Sequence, residues 1–315
     1  MIERLFIHSI FYCSLLLSVF GNISWAQAAS KNGFDLSQAT IASDEIFAGG
    51  PPRDGIPAIN QPKFVAVSAV DFLHDDDIVI GVVHHNITRA YPTRILIWHE
   101  IVNDRIDDHA FAVTYCPLCG SAMVFDRTID GQVRQFGVSG LLYQSDVLLY
   151  DRETESLWSQ LGLQAVSGSA AGTALNWLPS EYMTWAAWKQ QHPDSEVLST
   201  DTGYRRDYNS NAYDAYFASD ETMFPVPHTR REFANKTWVV GVLINGEAKA
   251  YPVDTLPTEH SIHDTVGGKA ITVSYHAEGR QPQVTDAQGN AVAAVLVFWF
   301  AWQAFYPATA IWTNN

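Results

Sequence analysis

Cysteine is close to absent from this chain. There are three in 315 residues, and one of them, Cys13, falls in an N-terminal stretch that reads as a secretory signal. The second cysteine pair that a rubredoxin-like or zinc-ribbon site needs does not exist, and a chain this long needs no disulfide or metal merely to hold a core. Positive charge is scarce as well, with 19 Lys and Arg against 34 Asp and Glu, for a formal net charge of -15. Such an acidic surface repels phosphate backbones and anionic lipid, which excludes nucleic acid as a partner. Also missing are a Gly-x-Ser-x-Gly elbow, a phosphate loop and a dinucleotide fingerprint, so serine-hydrolase, kinase and nicotinamide chemistry have no support.

Long apolar runs are lacking too. The stretch Ile7 to Phe20 is shorter than the roughly 20 residues that span a bilayer. It follows a single basic residue, Arg4, and precedes Ala26-Gln27-Ala28, the small-x-small pattern of a cleavage site. Residues 1–28 are therefore expected to be a signal peptide. The mature chain is expected to be exported, periplasmic or extracellular, with no membrane span. Glu3 and Arg4 cancel, so the acidic charge survives cleavage.

What is present is a hexapeptide, Tyr115-Cys116-Pro117-Leu118-Cys119-Gly120, holding both remaining thiols. In an oxidising compartment such a pair is metallated, disulfide-bonded or cycling between thiol and disulfide. A thioredoxin-like Cys-x-x-Cys opens a helix, but Gly120-Ser121 is a poor first helical turn, and the following Ala122 to Phe125 reads as strand. A strand-knuckle-strand hairpin is expected, with Gly120 supplying a positive φ.

An internal match organises the rest. Shifting the chain by 160 residues aligns Gly81-Val82 with Gly241-Val242, Ala90-Tyr91-Pro92 with Ala250-Tyr251-Pro252, and Asp104 with Asp264. Leu96, Ala110, Val113 and Tyr115 meet Leu256, Ala270, Val273 and Tyr275, giving ten identities over 36 positions; chance would give about two. Thr184-Trp185-Ala186-Ala187-Trp188 resembles Trp299-Phe300-Ala301-Trp302 at a smaller offset, so the second copy has lost about 46 residues, Phe125 to roughly Ala170. The expected fold is mainly β (α+β), with two β-rich repeat halves related by duplication and each ending in a helix. The expected boundaries are a lead-in at 29–77, a first half at 78–198, a tyrosine-rich connector at 199–236 and a shortened second half at 237–315. Strands are read at Ile78 to Val83, Val239 to Ile244, Ala110 to Tyr115 and Ser121 to Phe125. A helix is read from the cap Ser180 to just before His192-Pro193, and Ala291 to Tyr306 is read as core.

A metal held by Cys116 and Cys119 needs ligands beyond the two cysteines. Zinc accepts mixed cysteine and histidine sets, and soft copper also suits thiolates. His99 is the expected third ligand. Glu100, Asp104, His260, His263, His276, Asp126 and Asp151 are the further possibilities, as alternative ligands or as carboxylates and imidazoles supporting the ligands; His276 aligns with Cys116 in the repeat. Two alternatives to an exported metal-binding protein stay open, a thiol-disulfide oxidoreductase and a scaffold pinned by a structural disulfide.

The segments Trp98-His99-Glu100-Ile101-Val102-Asn103-Asp104, Val113 to Gly120 and Phe136 to Tyr143 carry a resemblance, together with Asp151-Arg152-Glu153-Thr154, Ser156 to Gln160, and Thr202-Gly203-Tyr204. In these the chain resembles the bacterial family known as domain of unknown function 3179. The resemblance implies no particular activity, and no obvious second active centre lies in the matching region of the second half. N-terminal sequencing of protein recovered from the exported fraction should begin at Ala29; an intact Met1 would contradict the export reading.

Overall fold

The structure is a computed structural model describing residues 30–227 and 229–314, so the expected signal peptide lies outside the described residues. Strands make up 42% of the described residues and helices 12%, arranged as a five-bladed β-propeller. Each blade is built on antiparallel hairpins of short β-branched or aromatic runs closed by tight turns, as the sequence pattern predicts.

The first sheet orders its strands Glu181–Thr184, Ile78–His84, Ile87–Pro92, Glu196–Leu198 and Phe64–Ala66. The knuckle sheet runs Trp177–Leu178, Ser121–Asp126, His109–Cys116, Ile101–Ile106. A third, here the carboxylate sheet, runs Gln164–Ser167, Leu157–Ser159, Asp146–Asp151, Phe136–Tyr143, Ile46–Ala48. The C-terminal sheet runs Ala294–Phe298, Trp238–Ile244, Glu247–Pro252, Ala310–Ile311, and the fifth runs Ile262–Val266, Lys269–His276, Gln281–Asp286.

The first and C-terminal sheets share one plan. Val79 pairs with Pro92 as Val239 pairs with Pro252, and each hairpin gains one parallel strand beside Ala90 or Ala250. In both, a tryptophan from the following helix lies over a strand glycine. A methyl group added to Gly81 would come within 2.1 Å of the Trp188 ring, and one on Gly241 within 2.4 Å of Trp302. The Trp188 indole donates to Ser195 Oγ and that of Trp302 to Thr309 Oγ1, which fixes both rings. Two halves alone do not account for the propeller, because the carboxylate sheet has no counterpart in the C-terminal part of the chain.

The strands about the knuckle and both repeat hairpins form where the sequence placed them, one or two residues longer. The helix expected from Ser180 starts later. Glu181–Thr184 is drawn into the first sheet by pairing with Ile78 to Gly81, and Thr184 caps the helix Trp185–Gln191 by accepting from Ala187 N at 3.3 Å. Propensity near Ser180 yields to sheet pairing. Ala294–Phe298 is a strand and Trp299–Phe305 a buried helix, and no helix among the described residues is long and apolar enough to cross a membrane. In the segment 199–236, Tyr208 and Tyr216 are buried and Tyr216 anchors the knuckle.

Gly81→Ala should destabilise the protein by about 1–3 kcal/mol, because the added methyl overpacks a fixed indole. A urea midpoint equal to that of the parent protein would contradict this packing.

Candidate metal centre

Cys116 ends the strand His109–Cys116, and Ser121, its register partner, begins the next. The four-residue turn between them closes with Cys119 N donating to Cys116 O at 3.2 Å. Gly120 takes φ +65°, and a Cβ there would sit 2.5 Å from the Trp238 ring. Glycine is thus required twice, by backbone conformation and by space. The turn is pinned from outside as well: Phe298 N donates to Cys119 O at 2.9 Å, and the Tyr216 hydroxyl donates to Leu118 O at 2.8 Å.

A second hairpin meets this turn. Strands Phe136–Tyr143 and Asp146–Asp151 pair Tyr143 with Asp146, leaving a two-residue loop of Gln144 and Ser145 at φ +51° and +68°. Asparagine and glycine are the residues such a primed turn prefers, so a Gln-Ser pair there holds backbone strain. It brings Asp146 to the knuckle. One oxygen of Asp146 and the sulfurs of Cys116 and Cys119 all lie within 4.8 Å of one another, and all three side chains are buried. Both cysteines are free thiols, and Cys119 Sγ donates to Ser145 O at 3.4 Å.

Asp146 Oδ2 accepts from Leu161 N at 2.9 Å, but Oδ1 is buried with no partner among the described residues. Ser145 Oγ and Gln144 Oε1, in the same turn, are buried and unpartnered too. Buried polar atoms are nearly always satisfied, so the orphan Asp146 Oδ1 of a carboxylate beside two thiols points to a missing partner. Burial raises the Asp146 carboxyl to about 7, while the Leu161 hydrogen bond and the neighbouring thiols pull it the other way. Burial likewise pushes up both thiols, most of all Cys119. Glu100 is the fourth acidic group. It ends the helix Thr93–His99 in the left-handed region at φ 56°, and its carbonyl accepts from Tyr115 N at 2.8 Å. Its carboxyl is buried, has no hydrogen-bond partner among the described residues, and is raised to about 8 by burial and the nearby Asp146.

On the far side, Ser121 Oγ donates to Gln160 Oε1 at 2.6 Å, Gln160 Nε2 to Thr114 Oγ1 at 2.8 Å, and Thr114 Oγ1 to Met123 O at 2.9 Å. This closed chain of bonds fixes the floor of the knuckle.

The expected third ligand, His99, is not in the group. Its Nδ1 lies 2.7 Å from Pro57 O and its Nε2 2.7 Å from the Tyr208 hydroxyl, so both nitrogens are occupied in holding the lead-in and the connector. Asp104 accepts from Arg89 and Tyr91. Asp126 caps a turn at Thr128 N, and Asp151 accepts from Thr154 and the Trp158 indole. His260, His263 and His276 are exposed, with His263 Nδ1 3.1 Å from Thr272 Oγ1. None of these joins the group. Asp146, which sequence reasoning missed, lies in the carboxylate sheet, which has no counterpart in the C-terminal part of the chain. The local signal was a two-residue turn without glycine between two apolar strands.

The family model described as a protein of unknown function (DUF3179) matches residues 53–309. The chain belongs to this family. No curated protein and no solved structure matches it. The DUF3179 match takes in the knuckle, Glu100 and Asp146 alike.

Reactive cysteines are exposed and held as thiolates; here burial opposes both conditions. In protein stripped of metal and kept reduced at pH 7, Cys116 and Cys119 should react with a thiol probe only at the rate of unfolding. Fast reaction of one thiol in the folded state would contradict the burial described.

Proposed function

We propose that this DUF3179 protein is an exported zinc-binding protein, with the ion held by Cys116, Cys119 and Asp146 and one coordination position open. The observation that carries this reading is the buried, unpartnered Asp146 Oδ1 beside two thiols. Two thiolates suit zinc or copper, and the carboxylate shifts the preference from soft Cu(I) to zinc. Three protein ligands with a free fourth position are the pattern of catalytic rather than structural zinc. Bound there, zinc would act as a Lewis acid and lower the pKa of a coordinated water. Glu100 holds its proton while no ion is bound, since burial raises it to about 8; the charge of a bound ion would favour its ionised form, in which it would take a proton from that water.

We also infer that the first and C-terminal sheets are copies, and that the second copy lost the sheet carrying Asp146. One copy then keeps the chemistry and the other serves as scaffold.

Protein purified from the exported fraction should carry one zinc per chain by elemental analysis. Cys116→Ser, Cys119→Ser and Asp146→Ala should each weaken zinc binding by at least about tenfold, while His99→Ala should leave it unchanged. Metal-free protein with a complete Cys116–Cys119 disulfide would sink the proposal, and so would an Asp146→Ala variant binding zinc like the parent.

A further inference from the structure

The centre is buried, so anything acted on there needs a way in. A cavity of about 440 Å³ is lined by Ile56, Ile97, Trp98, Arg205, Arg206 and Tyr213. Tyr213 is half-buried in that lining. The phenol has no hydrogen-bond partner among the described residues, and it lies within electrostatic reach of Glu100 and Cys116. Its ring also packs edge-on against that of Tyr216, centroids 6.5 Å apart, whose hydroxyl holds Leu118 O between the two cysteines, so Tyr213 links the cavity lining to the knuckle.

The rim has an unusual charge for this protein. Arg205 and Arg206 are exposed, and neither guanidinium has a carboxylate within ion-pair distance among the described residues; Arg206 Nη1 donates only to the Arg205 carbonyl at 3.0 Å. Asp207 adds one negative charge to the same wall and accepts from Asn209 N. Two cations against one anion leave the mouth locally positive on a chain of net charge -15. The adjoining cavity beside Phe72 and Tyr204 shares both arginines, so the positive rim serves both openings. Deeper in, the walls are apolar and aromatic, the composition of a small-molecule pocket with few orienting polar groups.

We propose that this cavity admits the substrate of the zinc centre, and that the substrate is a small organic anion with an apolar body. Its anionic group pairs with Arg205 and Arg206 while its body lies along Trp98 and Ile97 and reaches Tyr213. The proposal rests on the zinc reading for the chemistry but not for the binding. Guanidinium pairs with carboxylates are charge-assisted and bidentate, so they discriminate an anion from its neutral amide.

Calorimetry with benzoate and its neutral counterpart benzamide, on zinc-loaded and on stripped protein, tests this. Benzoate should bind about tenfold tighter than benzamide, and Arg205→Gln with Arg206→Gln should remove that preference while zinc content stays unchanged. Both arginines are exposed, so the double variant should fold. Equal binding of the two probes, no binding of either, or an unchanged preference in the double variant would overturn the proposal. Arginine-dependent benzoate binding without zinc uptake would uphold the cavity and overturn only the metal reading; zinc uptake without that binding would do the reverse.

Discussion

Taking several acidic groups out of water at one point is costly unless a cation or bound protons neutralise them. Cys116, Cys119 and Asp146 meet within 4.8 Å in the interior, with the buried Glu100 carboxyl in electrostatic reach, and no side-chain cation among the described residues is hydrogen-bonded to any of them. Without an ion the cluster stays together only by keeping its protons, which is why every one of these groups is shifted upward. With a divalent ion the same desolvation works in the opposite sense, since it strengthens attraction between the ion and its ligands. The rest of the site follows from this constraint.

Two hairpins deliver the groups, and each departs from ordinary turn chemistry to do so. The knuckle needs Gly120, because Trp238 fills the space a side chain would take. The opposing turn holds Gln144 and Ser145 at positive φ, a strain that neighbouring sheets sustain. The anchors come from distant parts of the chain: Tyr216 from the connector, Phe298 from the C-terminal sheet, and Gln160 from the carboxylate sheet. Loss of the C-terminal sheet or the carboxylate sheet would loosen the geometry. That dependence gives the propeller a role beyond enclosing a core.

Much of this was legible in the sequence, for physical reasons. The strand-knuckle-strand form followed from Gly120-Ser121 and the β-branched flanks, and the repeat hairpins followed from their Ala-Tyr-Pro landmarks. The helix start near Ser180 was misplaced because sheet pairing at Glu181–Thr184 overrides local capping. The third member of the group was illegible for another reason. His99 is close to the knuckle in sequence and rich in ligand chemistry, but its two nitrogens are spent on Pro57 and Tyr208. Asp146 reaches the sulfurs through packing of two separate sheets, a contact that no spacing rule encodes.

The most direct test of the account is X-ray absorption at the zinc edge on the zinc-loaded protein. Cys116, Cys119 and Asp146 predict two sulfur neighbours at about 2.3 Å with oxygen at about 2.0–2.2 Å, and no imidazole scattering. An imidazole signature, or a shell without sulfur, would contradict it.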